Sequence, residues 1–251
     1  MTRPLLTALA VATATGGAAQ APDPAPVPFG PGERAEYEVK LGFLSVGDGV
    51  MEVTGIQSVD GHPTYHTRFT LKGGIPFARV DDTFESWIDV EGVFSRRFRQ
   101  DQKEINFERK RTYHFYPERK SWRREDGSTG TLPTDEPLDD VSFLYYARTL
   151  PLEVGETYTL DRYFKEDGNP VVLHVLRKET ITVPAGTFRT VVVRPVIQTD
   201  GLFSEGGEAE VYFSDDDRRL VVSVKSRVPL IGSLHLLLRE YTAGRSFAAR
   251  R

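Results

Sequence analysis

The sequence predicts an all-β protein, mainly antiparallel, built as one large curled sheet or open barrel with a single short helix near residues 140–150. Three observations predict it. Apolar and polar residues alternate with period two along most of the chain from Glu33 onward. Turn dipeptides such as Asp60-Gly61, Glu91-Gly92, Asp126-Gly127 and Asp200-Gly201 punctuate that alternation. The 251 residues are 39% hydrophobic and 11% aromatic, enough to build the core of one large domain.

The chain begins with a pattern expected of an export signal. Arg3 supplies a positive start, and Leu5 to Ala14 is uncharged and mostly Leu, Ala and Val. Gly17 and Ala19 then satisfy the small-x-small rule for cleavage after Ala19. The apolar run is well short of the ~20 residues of a membrane-spanning helix, so no transmembrane span is expected. With no cysteine anywhere, disulfides, thiolate nucleophiles, zinc–thiolate sites and lipid-modified cysteine are excluded. The expectation is a soluble periplasmic protein that is not a lipoprotein. Residues 20–32, QAPDPAPVPFGPG, read as an extended Pro-rich leader that tethers rather than folds. A single β-rich domain is expected over 33–243, followed by a flexible basic tail over 244–251.

The strands follow in order. Tyr37, Val39 and Leu41 alternate with Glu36, Glu38 and Lys40, and Val50 to Ile56 repeats the pattern after a turn or bulge signal at Gly47-Asp48-Gly49. Tyr65–Leu71, Phe84–Val90, Phe94–Phe98, Ile105–Phe115 and Ser121–Arg124 continue it. The later runs are Thr157–Tyr163, Val171–Ile181, Phe188–Thr199, Glu208–Phe213, Leu220–Ser226 and Leu234–Tyr241. Between two of them, Pro184-Ala185-Gly186 reads as a hairpin turn: Pro184 presets φ and Gly186 tolerates a positive one. Only PLDDVSFLYYARTLP changes period. Val141, Leu144, Tyr145 and Arg148 fall three or four apart, with Asp139 and Asp140 as capping residues. A sheet this large must curl, close or stack, and the lone helix suits a concave side that it plugs or covers.

Chemistry is less legible. His62 and His66 have the spacing of a helical metal pair, but in a strand they stand ~13 Å apart, so no metal site is expected. GFLSVG and GLFSEG each misplace the serine of a nucleophile elbow, and no phosphate or dinucleotide loop occurs, so no cofactor is expected. Carboxylate pairs leave one enzymatic reading open, an envelope glycan-cleaving hydrolase, with Asp81, Asp82 and Glu85 as the candidate catalytic residues. Asp139 and Asp140 form a second such group.

The most conspicuous charge feature lies between Arg96 and Arg124, where eleven cations stand against four carboxylates, interleaved with aromatics. The net charge of −4 gives no global attraction to nucleic acid. In an exported protein such a stretch suits an anionic lipid, lipopolysaccharide or acidic glycan; the alternative is a solvated strand face whose charges blunt edge pairing. The ligand-binding residues expected on this basis are Trp87, Arg109, Arg111, Tyr113, Trp122 and Tyr145. The apolar stretches IPFARV (75–80) and VPLIGSLHLLL (228–238) are either binding patches or core.

Four blocks in order, FGPGERAEYEVKLGFLSVGDGVMEV, DDVSFLYYARTLPLEVGETYTL, ETITVPAGTFRTVVVRPV and GEAEVYFSDDDRRLVVSVKSRVPLIGSL, resemble domain of unknown function 3108 (DUF3108), a family of exported bacterial proteins. The resemblance runs from about Phe29 to Tyr241. It implies an extracytoplasmic β-rich domain and brings no catalytic residues with it. The function expected from all of this is non-enzymatic binding of an amphipathic lipid or envelope glycan in a concave sheet. The alternatives are the hydrolase and an assembly partner that engages through a sheet edge.

Overall fold

The computed structural model describes residues 27–75, 78–104, 107–197, 209–228 and 232–247. Among them, fourteen strands form one antiparallel sheet. They are β1 (Arg34–Leu41), β2 (Leu44–Val59), β3 (His62–Ile75), β4 (Ala78–Asp89), β5 (Ser95–Glu104), β6 (Phe107–Tyr116) and β7 (Ser121–Arg124). There follow β8 (Thr129–Thr131), β9 (Thr157–Leu160), β10 (Val171–Val183), β11 (Gly186–Val196), β12 (Glu210–Ser214), β13 (Val221–Val228) and β14 (Gly232–Thr242). The helix α1 (Ser142–Ala147) falls inside the expected 140–150 window.

The spatial order is β8-β7-β6-β5-β4-β3-β2-β1-β14-β13-β12-β11-β10-β9. Two meanders are therefore joined where the first strand pairs with the last, Tyr37 opposite Leu238 and Leu41 opposite Leu234. The terminal strands β8 and β9 are only three and four residues long, so among the described residues the outer edges of β6 over residues 107–111 and of β10 over residues 176–183 have no strand partner. Between the edges runs the segment carrying α1, held by a parallel bridge between Leu138 and Tyr163. Bulges at Val39/Lys40, Val53/Gly55, Trp87/Ile88 and Val175/Arg177 add twist, and the sheet curls without closing.

An antiparallel meander sends successive connections to alternate ends. At one end, here the rim, lie the β1–β2 tip at Gly42-Phe43 and the connections β3–β4, β5–β6, β11–β12 and β13–β14. At the other, the base, lie Asp60-Gly61, the β4–β5 and β6–β7 connections, Pro184-Ala185 and the β12–β13 connection. Asp60 and Gly61 both have positive φ, 50° and 87°, as an Asp-Gly hairpin turn requires. Pro184-Ala185 joins Val183 to Gly186, whose φ is 128°, and the Ala185 N–H donates to Leu238 O at 3.0 Å, pinning the turn to β14. The Gly47-Asp48-Gly49 signal lies within β2, next to the bulge rather than at the turn.

Two expectations about the termini are corrected. The Pro-rich leader does not merely tether: from Val27 it packs on the base. Phe29 is buried edge-on to Tyr65 and Tyr145, at ring-centre distances of 5.2 and 4.8 Å, and the Gly32 N–H donates to Val53 O at 2.8 Å. One large aromatic side chain among the prolines outweighs their missing donors. Nor is the chain free from residue 244. The Arg245 N–H donates to Pro31 O at 2.9 Å, and Phe247 lies edge-on to Tyr65 at 6.1 Å. Leader and C-terminal segment form one strap beneath the base. The export signal, Asp200-Gly201, residues 76–77 of IPFARV, 229–231 of VPLIGSLHLLL and 248–251 lie outside the described residues.

Candidate functional site

The helix is the floor of the concave side. Its residues Phe143, Leu144, Tyr145 and Ala147 are all buried, and Pro137 and Pro151 bracket the segment that carries it. Asp139 Oδ1 accepts the N–H groups of Val141 and Ser142, both at 2.8 Å, while its Oδ2 accepts the Ser86 hydroxyl of β4 at 2.6 Å. One buried carboxyl thus ties the helix start to the sheet, and burial pushes its pKa up to about 6 despite those hydrogen bonds. At the other end of the helix, Arg148 forks onto Glu33: Nη1 to Oε1 is 2.6 Å and Nη2 to Oε2 is 3.0 Å.

Above the floor, in the rim half of the sheet, lies a cavity of about 320 Å³. Its lining is sorted by chemistry. Phe69 and Leu71 of β3, Leu234 and Leu236 of β14, Val224 of β13 and Leu144 of α1 form an apolar wall. The remaining lining, from β4, β5, β6 and the α1 segment, is mainly polar: Asp82, Gln100, Gln102, Glu104, Arg109, Asp140, Tyr163 and Lys165, with Phe84 of β4 as an apolar exception and Asp82 directly across the strand pair from Leu71. Asp140 accepts the Tyr163 hydroxyl at 2.7 Å and the Gln100 amide at 3.4 Å, and burial raises its pKa. Burial also raises Asp82, although Oδ1 accepts the Lys103 N–H at 3.0 Å. Glu104 is raised by burial and by the like charge of Asp82. The Arg109 guanidinium lies over the Phe107 ring at 4.7 Å, and the Lys165 ammonium over Phe164 at 5.3 Å. Gln102 Oε1 is a buried acceptor with no protein donor.

The sequence-predicted residues divide by strand parity. Asp82 and Arg109 line the cavity, and Arg111, at the next position of the same parity on β6, shares the concave face with Arg109. Tyr113 lies between Phe98 and Phe115 and meets Trp122 edge-on at 5.4 Å, so both belong to aromatic packing deeper in the concave face. Tyr145 is wholly inside the floor, against Phe29 and Arg148. Asp81, Glu85 and Trp87 alternate onto the convex face. There Glu85 accepts from His66 Nε2 at 3.1 Å and Arg68 Nη2 at 3.2 Å, and Trp87 stacks on His66 at 4.5 Å between ring centres. The His66 contact, followed by Arg68, holds the Glu85 carboxyl down at about 2. Asp81 pairs with Lys72 at 3.3 Å. Much of the basic stretch is paired the same way: Arg96 with Asp89, Arg99 with Glu85 and Asp101, Lys110 with Asp101, Arg124 with Asp126. Of these, Arg96 and Asp89 form a buried pair, while Lys110 is exposed.

Sequence reasoning missed Gln100, Gln102, Glu104, Tyr163 and Lys165. Gln100, Gln102 and Glu104 share the parity of Phe98, whose size marks the inward phase of β5, and that is the signal that could have found them. Tyr163 and Lys165 follow β9 in the irregular segment, where no periodicity exists to read.

A family model, "Protein of unknown function (DUF3108)", matches residues 36–239. The chain belongs to the DUF3108 family. No curated protein matches. Among solved structures, this DUF3108 domain is similar to a β-barrel-like protein of domain of unknown function DUF1849 from Brucella abortus. That match has 12% identity and a TM-score of 0.53, covering 87% of this chain and 100% of the other. A lipoprotein candidate from Parabacteroides distasonis matches with 10% identity and a TM-score of 0.39, covering 86% of this chain and 99% of that one. The Brucella likeness speaks for the fold. Among the described residues no helix is long and apolar enough to cross a membrane.

Proposed function

We propose that this DUF3108 protein is an exported, non-enzymatic binder of an amphipathic lipid, taken chain-first into the concave cavity. One observation carries the reading: the cavity lining is mainly apolar along β3, β13 and β14 and mainly polar along β4–β6 and the helix segment, with Phe84 of β4 and Leu144 of α1 as apolar exceptions. A ligand with a hydrocarbon chain and a polar head matches both walls at once, whereas a glycan would leave Leu71, Val224, Leu234 and Leu236 facing hydroxyls. A volume of about 320 Å³ has room for roughly ten water-sized groups, which suits a single acyl chain. Arg109 and Lys165 offer cations to a phosphate, and Asp82, Glu104 and the unpartnered Gln102 oxygen offer acceptors to an ammonium or hydroxyl. A head carrying both signs is the best complement. The Arg3-to-Ala19 pattern supports export to the periplasm.

The hydrolase reading has less support. Asp82 and Glu104 lie on neighbouring strands β4 and β5 on one side of the cavity, whereas carboxylates that cleave a glycosidic bond stand ~5–10 Å apart across the bound sugar. The test is calorimetric titration with lauroyl lysophosphatidylethanolamine beside a peptidoglycan-derived oligosaccharide. Binding of the lysolipid, weakened about tenfold or more when Val224→Phe fills the cavity, is expected. Oligosaccharide binding without lysolipid binding, or lysolipid binding indifferent to Val224→Phe, would overturn the assignment.

A further inference from the structure

Among the described residues, the large hydrophobic side chains left most exposed are Phe43 at 89%, Leu44 and Val154 at 51%, and Phe107 at 37%. Three of these four stand at the rim. Phe43 and Leu44 form the β1–β2 tip, and Phe107 begins β6. Val154 lies elsewhere, just before β9. The base end, by contrast, tucks its apolar groups in: Phe29, Phe247 and Tyr65 cover one another there.

The two rim positions are not one patch. β2 and β6 are four strand spacings apart, roughly 20 Å along the sheet at ~4.8 Å per spacing. Separate apolar side chains projecting from one end of a curled sheet touch a plane together, which a small convex partner would not do. The strand ends around them carry both signs: Lys72 pairs with Asp81 and Lys110 with Asp101, and Arg79, Lys103, Glu104 and Glu108 are exposed. Apolar side chains projecting from among mixed charges suit the headgroup layer of a bilayer, which itself carries both signs. The same end holds the cavity. Phe107 has the inward parity of β6 and lies directly under Arg109 of the polar wall.

We propose that the rim is a membrane-docking surface: Phe43, Leu44 and Phe107 enter the headgroup layer of a lipid bilayer, with the cavity facing that surface. This deepens the lipid-binding reading and rests on it for its purpose, though not for its geometry. The membrane source is a bilayer surface rather than free lipid, and the two are separable by experiment.

The test is flotation of the full-length protein with vesicles of phosphatidylethanolamine and phosphatidylglycerol, run in parallel with lysolipid titration and sedimentation velocity. Wild type is expected to float with the vesicles. The triple variant Phe43→Ser, Leu44→Ser, Phe107→Ser should lose about tenfold or more of that partitioning while keeping its melting temperature and its lysolipid affinity within about twofold. Val154→Ser, equally exposed but off the rim, should float like wild type. Wild type that binds lysolipid in solution yet never floats would overturn docking and leave the cavity assignment standing. Flotation lost in the triple variant with no lysolipid bound by either protein would sustain docking and sink the cavity assignment. A wild-type dimer that becomes monomeric in the triple variant, with no flotation, would make the rim a self-association face and overturn the proposal.

Discussion

Replacing Arg148 by Leu tests what holds the floor of the cavity in place. Arg148 and Glu33 are 3% and 4% exposed, at the base, with the helix on one side and the start of β1 on the other. The guanidinium makes the two-point contact with Glu33 and also donates from Nη2 to Pro28 O at 2.9 Å and Arg218 O at 3.1 Å. Four parts of the chain therefore meet on one side chain: leader, β1, helix and β12–β13 connection. Leu keeps the packing against Phe29 and Tyr145 but leaves the Glu33 carboxylate buried with only the Tyr241 hydroxyl, at 3.3 Å, to answer it. Removing one member of a buried pair costs about 3–5 kcal/mol, and the two orphaned carbonyls bring the expected loss to about 4–6 kcal/mol. For a domain of this size that lowers the melting temperature by about 8–20 °C. Urea unfolding followed by circular dichroism measures it, with the double variant Arg148→Leu, Glu33→Leu as the second arm. With no charge left to bury, the double variant should recover half or more of the loss. A single variant within about 1 kcal/mol of wild type, or a double variant no better than the single, would refute the idea that charge compensation fixes the floor.

Three further outcomes follow from the same packing. Phe29→Ala should cost about 3–4 kcal/mol in urea unfolding, since the ring is buried between Tyr65 and Tyr145; a loss under about 1 kcal/mol would return the leader to a mere tether. Asp139, raised from 3.8 to about 6, contributes stability that is complete below about 4 and lost as the pH rises through 6. The advantage of wild type over Asp139→Asn should thus be larger at pH 4 than at pH 7, by up to about 3 kcal/mol, and a difference that ignores pH would contradict the assignment. Glu85, lowered to about 2, works in the opposite sense: its contribution is present above 4.5 and disappears as the pH falls toward 2. Glu85→Gln should therefore flatten the acid limb of the stability profile, and an unchanged limb would show that the His66 and Arg68 contacts carry no net weight.

Strand positions were legible because each strand alternates, but which face turns inward was harder to read. On β4 the even positions Asp82, Phe84, Ser86 and Ile88 face the concave side, and Asp81, Glu85 and Trp87 the convex one. Trp87 makes the convex set look apolar, and it is buried there by stacking on His66, by the Arg97 guanidinium over its ring at 5.2 Å and by its hydrogen bond to Gln57 at 2.8 Å. For that reason Asp81, Asp82 and Glu85 read as one cluster in sequence but lie on two faces of the sheet. Arg148 was legible as part of the helix stripe with Val141, Leu144 and Tyr145, but its pairing was not. Its partner Glu33 is 115 positions away, set there by the leader packing that the prolines conceal. Arg109 was found because cations among aromatics stand out whichever face they occupy.

That the cavity exists at all follows from the proportions of the fold. Fourteen strands at ~4.8 Å apiece, if they curled through a full turn, would give a backbone radius of roughly 11 Å, and the open sheet approaches that size. Inward side chains take about 5 Å of that on every side, leaving a space about as wide as one helix with its side chains. Along the axis the match fails: α1 has 6 residues and spans about 9 Å, while β3 has 14 residues and spans about 45 Å. The base is therefore filled by α1, Phe164, Phe98 and Phe115, and the rim half can be filled only by side chains from the sheet itself. Leu, Val and Met supply that lining on one side. On the other, the concave positions are Asp82, Phe84, Gln100, Gln102, Glu104 and Arg109, with Asp82 directly across the strand pair from Leu71. Extending α1 by one apolar turn toward the rim would fill the space they line and would be expected to abolish lysolipid binding while raising the melting temperature. Lysolipid affinity that survived such an extension would place the ligand somewhere other than this cavity.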